Sequence, residues 1–128
     1  MSELTDPDTF ADVNEDASIG GFDASFVDVE GARTRYYEEG TDNDETLLLV
    51  HGGPWSATSS ANRWVPVLEG LAEQYHVLAL DRLACGLTDT PREDNAYEWE
   101  FESELHHVRD FLDAVGVESC HVCGSSRG

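Results

Sequence analysis

Three short strand-like segments decide what this chain can fold into. Thr46-Leu47-Leu48-Leu49-Val50, Tyr75-His76-Val77-Leu78-Ala79-Leu80 and the stretch from Val117 to Cys123 are each only a few residues long. The first is a continuous apolar run, which suits a strand buried on both faces of a sheet, and the other two read as buried strands beside it. Between the first two, Trp64, Val67, Leu68 and Leu71 recur at helical spacing. Pro66 fits there only in a first turn, where its missing N–H is no loss. Between the second and third, Phe101, Leu105, Val108, Leu112 and Val115 step by four, three, four and three, which predicts a helix with one buried apolar face. Glu98, Glu100, Glu102 and Glu104 crowd its start, where the helix dipole favours anions, and Gly116 ends it. Strand, helix, strand, helix, strand predicts an α/β domain with a mostly parallel sheet, flanking helices and right-handed crossovers.

Ahead of this pattern, Phe26, Val27 and Val29 precede Glu30-Gly31, and Arg33-Thr34-Arg35-Tyr36-Tyr37 follows, which reads as a β-hairpin. Residues 1–23 carry seven acids and no base. They hold too little apolar surface to offset ordering entropy, so they read as an acidic, disordered leader, with the domain spanning 24–128.

The whole chain is acidic. It has 27 Asp and Glu against 7 basic residues, all Arg, for a formal net charge of −20. Nucleic acid is excluded as a partner, because phosphate binding needs basic patches. Acids spread along the full length read as a self-repelling, solvated surface suited to a very salty cytoplasm. A binding face for Ca²⁺ or basic partners is the competing reading, and no D-x-[DN]-x-[DN]-G loop supports it. Three cysteines make no disulfide framework, no run is long enough to span a membrane, and no signal peptide opens the chain. A cytoplasmic protein is the expectation.

Two motifs carry chemistry. Gly124-Ser125-Ser126-Arg127-Gly128 spells G-x-S-x-G, a sharp turn that lifts a serine hydroxyl off a strand end. Ser126 holds the central position, and Ser125 is the competing nucleophile. The strand side of the turn is present and the sequence stops where a helix should lead out, so the chain reads as cut at its nucleophile. His51-Gly52-Gly53-Pro54 directly follows the first apolar run. A hydrolase of this kind needs backbone N–H groups aimed at the oxyanion of a tetrahedral intermediate. One is expected from Arg127, the residue after the nucleophile, and one from the loop after the earlier strand. Pro54 has no N–H, so Gly53 is the candidate donor, with Trp55 in reserve. Both motifs fall at the C-terminal ends of expected parallel strands, the edge where open α/β sheets place their sites.

With these landmarks, from about Phe26 to Gly128, the chain resembles the N-terminal half of an α/β-hydrolase-fold protein. Trp64-Val65-Pro66-Val67-Leu68 and Val77-Leu78-Ala79-Leu80-Asp81-Arg82 belong to the same pattern. The segment from Asp81 to Pro91 resembles the family loop D-x-x-G-x-G-x-S-x-x-P, with Ala84 for the first glycine and Thr88 for the serine. The resemblance implies a small-molecule carbonyl substrate, hydrolysis of an ester, amide or C–C ketone bond, and no cofactor or metal. Serine at the nucleophile position is unlike the aspartate of epoxide hydrolases and dehalogenases. His-Gly-Gly-Pro is similar to proline iminopeptidases and to hydrolases of ring-opened aromatic products. The triad order Ser, Asp/Glu, His puts both later members beyond Gly128. A catalytically inactive fragment or a non-enzymatic ligand-binding module is the alternative.

The remaining candidates read as structural. His51, His76, His106, His107 and His121 all precede the serine, and His51 is expected to fix the oxyanion loop by hydrogen bonding. Cys120 and Cys123, three apart on a strand, point to opposite faces and are expected as small core residues. Cys85 has no partner in view. In the family's sheet order the last strand is an open edge that invites aggregation.

Overall fold

The computed structural model describes residues 18–19, 21–56 and 58–126. Ser18–Ile19 (β1) pairs antiparallel with Phe22–Asp23 (β2), so the end of the acidic leader forms a small ladder. The rest of that leader lies outside the described residues.

The hairpin expected around Glu30-Gly31 is Ser25–Val29 (β3) and Ala32–Glu39 (β4), paired antiparallel. Glu30 and Gly31 both take positive φ, 46° and 90°, the requirement of a two-residue turn matched to strand twist. Then come Thr46–Val50 (β5), a 3₁₀ turn at Ala61–Trp64, helix Val65–Leu71 (α1), His76–Leu80 (β6), helix Phe101–Ala114 (α2) and His121–Gly124 (β7). Ser60 caps the 3₁₀ turn, its hydroxyl accepting the Asn62 N–H, and Pro66 sits in the first turn of α1.

Strands β3 to β7 form one five-stranded sheet in the order β3-β4-β6-β5-β7. The hairpin strands add antiparallel, while β6, β5 and β7 run parallel. Successive side chains alternate between faces, so each apolar run feeds two cores. Leu48, Val50, Leu78 and Leu80 pack with Phe111 of α2 on one face. Leu49, Val77 and Ala79 pack with Leu68 of α1 and with Tyr37 on the other. Burying a leucine side chain contributes about 1.5–3 kcal/mol, and Leu48, Leu49, Leu68, Leu78 and Leu80 are essentially inaccessible. No helix among the described residues is long and apolar enough to cross a membrane.

The structure corrects three expectations. Helix α2 buries its apolar stripe only in part, with Val108, Leu112 and Val115 packed against the core. Its buried residues are Ser103, Glu104, His107 and Phe111, while Phe101 and Leu105 are more than half exposed. At ~100° per residue the centre of the stripe is turned roughly 100° from the centre of the buried face. It lines an apolar groove of about 340 Å³ with Val50 and Val122. Strand β7 is shorter than the expected stretch from Val117 and is exposed throughout, because among the described residues β5 is its only neighbour in the sheet. For the same reason Cys123 is exposed and Cys120 only half-buried, so neither is a fully buried core residue. Cys85 is the buried thiol of the three.

The end of α2 follows its sequence. Gly116 takes φ 79°, and the Val117 N–H reaches back 2.9 Å to the Leu112 carbonyl, which closes the last turn.

Candidate active site

Strands β5 and β7 run parallel with Val50 opposite Gly124, so the segments that follow them leave the sheet at the same edge. Ser125 N–H donates to the Val50 carbonyl at 3.2 Å, extending the ladder one residue past β7. Ser126 then turns to φ 59°, a left-handed conformation that costs a non-glycine residue roughly 1–2 kcal/mol. Its side chain is exposed.

The His-Gly-Gly-Pro loop meets this turn. A Cβ built on Gly52 would collide with the Ser125 carbonyl oxygen and lie 2.8 Å from the Ser126 Cβ. Glycine at 52 is therefore what lets the two motifs touch. Gly53 takes φ 96°, and a Cβ there would come within 3.1 Å of Ser59 Cβ. The loop is thus pressed between the serine turn on one side and Ser59 on the other.

His51 is fully buried under the loop. Its Nε2 accepts the Arg82 backbone N–H at 3.0 Å. The ring proton consequently sits on Nδ1, which donates to the Gly52 carbonyl at 2.8 Å. Burial pushes the His51 pKa down to about 4. With both nitrogens spent, this imidazole fixes the loop and cannot accept the serine proton. All peptide bonds are trans among the described residues. In a trans peptide C=O and N–H point to opposite sides, so tying down the Gly52 carbonyl turns the Gly53 N–H away from the ring. Arg127, the other expected donor, lies outside the described residues.

The reserve candidate Trp55 is committed through its side chain. Its indole N–H donates to Glu104 Oε1 at 2.9 Å, and the ring packs edge-on against Trp99 with centroids 5.2 Å apart.

A buried polar hub, missed in the sequence, supports the loop from below. Asp81 is inaccessible and accepts four bonds: two from Arg35, each 2.9 Å, one from Ala61 N–H at 2.7 Å and one from Leu87 N–H at 2.8 Å. It joins β4, the 3₁₀ turn and the loop after β6. The Thr88 hydroxyl donates to the Asp81 carbonyl at 3.0 Å and accepts the Arg35 N–H at 3.1 Å. Threonine thus supplies the hydroxyl where the related loop pattern has serine. Ala84 makes the glycine-type turn at φ 64°, and Gly86 leaves room for the Asp81 carboxylate that a Cβ would strike. The signal available for this hub was a pair of charged residues, Asp81-Arg82, ending an otherwise apolar strand, together with Arg35 inside a strand.

The other histidines sit elsewhere. His76 Nε2 lies 2.6 Å from Glu38, and His121 lies 3.7 Å from Glu45. His106 is exposed on α2. His107 is buried, with Nε2 2.9 Å from the Thr34 hydroxyl, and burial lowers its pKa to about 4. Among the described residues no group of three His, Cys, Asp or Glu is placed to hold a metal ion.

A family model described as alpha/beta hydrolase fold matches residues 45–128. The chain belongs to the α/β-hydrolase fold family. Among curated relatives of this fold, the chain is 34% identical over 104 residues to 2-hydroxy-6-oxo-6-(2'-aminophenyl)hexa-2,4-dienoic acid hydrolase of Metapseudomonas resinovorans, covering 80% of this chain and 33% of that protein. It is 28% identical to a proline iminopeptidase of Heyndrickxia coagulans, covering 80% and 34%. The solved structure of a serine hydrolase involved in carbazole degradation superposes with a TM-score of 0.71 at 29% identity, covering 83% of this chain and 39% of that one. The chain thus spans about a third of the length of the α/β-hydrolases it matches.

Proposed function

We propose that this chain carries the nucleophile and oxyanion-loop portion of a serine hydrolase that acts on a small carbonyl compound. The observation that carries the reading is the contact between Gly52 and Ser126 at the C-terminal edge of a parallel sheet, with Ser126 at positive φ. A serine hydroxyl lifted off a strand end beside a glycine loop suits attack on a carbonyl. In the proposed step Ser126 Oγ bonds to the carbonyl carbon while its proton passes to a histidine base. The carbonyl oxygen becomes an oxyanion held by the N–H groups of Gly53 and Arg127. Collapse expels the leaving group, which takes the proton from the histidine, and water then releases the acyl group by the reverse sequence.

The base and its orienting carboxylate are assigned to polypeptide beyond Gly128, following the triad order of this fold. His51 is ruled out as the base by its own hydrogen bonds. Relatives named as a dienoic acid hydrolase and as iminopeptidases point to C–C and amide bonds, beside esters, as the bonds to test. Residues 1–128 alone are proposed to be inactive, since Ser126 there has no base to activate it.

A fluorophosphonate probe tests both statements. The complete gene product is expected to gain one adduct on the peptide bearing Ser126, lost in Ser126→Ala, and residues 1–128 alone are expected to gain none. Tight binding of small carbonyl compounds by the gene product without any adduct would instead establish a ligand-binding module.

A further inference from the structure

We propose that Arg82 and Glu104 are positioning residues for the oxyanion loop, an assignment that rests on the serine-hydrolase reading above. Arg82 follows β6 and its side chain is 4% exposed, as is that of Glu104. Its Nε donates to the His51 carbonyl at 2.8 Å, one terminal nitrogen donates to the Gly53 carbonyl, and the other pairs with Glu104 Oε1. Its backbone N–H holds His51 Nε2, and the same imidazole holds the Gly52 carbonyl. All three carbonyls of His51-Gly52-Gly53 therefore have a donor. What the loop retains to offer a substrate is its N–H groups, the polarity an oxyanion requires.

The guanidinium is suited to this work by shape. It is a planar fork whose donors diverge in fixed directions, and it reaches two carbonyls and a carboxylate at once. An ammonium group has no such fork. Glu104 is the necessary counterpart. A buried cation unpaired beside the loop would be strongly unfavourable, and the carboxylate from α2 neutralises it. The same Glu104 oxygen accepts the Trp55 indole N–H, so α2 grips the loop on both sides of Pro54. This explains why a glutamate occupies the buried face of α2 while Phe101 and Leu105 of the same helix stay exposed.

The test uses the complete gene product, unaltered and as Arg82→Lys and Glu104→Gln. Gln keeps an oxygen acceptor for both Arg82 and Trp55, so it is the milder change. Hydrolysis of p-nitrophenyl acetate is expected to lose about 10- to 100-fold in kcat in each variant, with KM within about twofold, because donors preset for the transition state are disturbed. Nitrogen-15 spectra of His- and Gly-labelled protein supply a readout apart from activity. The Gly52 and Gly53 amides and the His51 ring nitrogens are expected to shift in both variants. In the unaltered protein labelled with nitrogen-15 in arginine and carbon-13 in histidine, a hydrogen-bond scalar coupling is expected between Arg82 Nε and the His51 carbonyl carbon. Absence of that coupling overturns the clamp even if neither variant folds. Folded variants with unchanged kcat, or with unchanged loop resonances, overturn it as well. If the unaltered protein takes no fluorophosphonate adduct, the serine reading falls separately, and the spectra still decide whether Arg82 and Glu104 hold the loop.

Discussion

Gly52 faces Ser126 so closely that a methyl group on the glycine would stand 2.8 Å from the serine Cβ. Gly52→Ala is therefore expected to push the serine turn off its position. Overpacking of this kind costs about 1–3 kcal/mol, and a displacement near 1 Å can cost about 100-fold in rate. Urea unfolding and fluorophosphonate labelling of the gene product measure the two effects. Unchanged labelling would mean the two loops do not meet in solution.

Ala84 offers the opposite opportunity. It holds φ 64°, a left-handed conformation that favours glycine. Removing the left-handed penalty of ~1–2 kcal/mol while adding the ~0.5–1 kcal/mol entropy cost of glycine leaves a net gain. Ala84→Gly should stabilise the chain by about 0.5–1 kcal/mol in urea melts. A loss of stability would refute the assignment of strain to this residue.

The Arg35–Asp81 pair is fully buried and Asp81 accepts four hydrogen bonds. Breaking such a pair leaves a buried charge without its partner and costs about 3–5 kcal/mol. Asp81→Asn is expected to lose at least the lower figure, since an amide also points a donor at other donors. A calorimetric or urea midpoint close to that of the unaltered chain would contradict it.

Acid should destabilise the fold through His51 and His107. Both are buried with pKa lowered from 6.5 to about 4, first of all by desolvation. The unfolded chain takes up these protons near pH 6.5, whereas the folded chain takes them up only near pH 4. Stability is thus fully present above pH 6.5 and falls as pH drops from there toward 4, by roughly 3 kcal/mol per histidine once complete. His107→Gln removes one titrating group, so the slope of stability against pH between 6.5 and 5 should fall to about half. Identical slopes would exclude His107.

Charge repulsion sets the response to salt. A net charge of −20 on 128 residues favours expansion wherever it is unscreened. The Debye length shrinks from ~10 Å at 0.1 M to ~3 Å at 1 M. The thermal midpoint is expected to climb steadily from 0.1 M to 2 M KCl. A midpoint that does not move would remove the basis for reading the acidity as an adaptation to salt.

Much of the fold was legible because it rests on local pattern. Leu47 to Val50 and Val77 to Leu80 could hardly be anything but inner strands, and Glu30-Gly31 has few uses besides a tight turn. The meeting of Gly52 with Ser126 was legible too, since two parallel strands ending at one edge bring their loops together. The orientation of α2 was not. Periodicity locates an apolar stripe, but it does not say which neighbour the stripe faces, and here polar Glu104 and His107 take the inner side because Arg82 and Thr34 await them. The edge position of β7 was expected from the family's sheet order, but the exposure of both its faces was not, because a strand reads the same in a sequence whether or not a helix covers it. Arg35 and Asp81, forty-six positions apart, become partners only through the pairing of β4 with β6.

The rim position of β7 has a mechanical consequence. Among the described residues, Ser126 extends from a strand held by four pairings to β5, running from Leu47 with His121 to Val50 with Gly124. The serine works like the tip of a cantilever, and that seam supplies part of its stiffness. Amide exchange along β7 would then report how sharply the hydroxyl is aimed. A further strand paired alongside Val122 would tighten that aim without touching the serine itself.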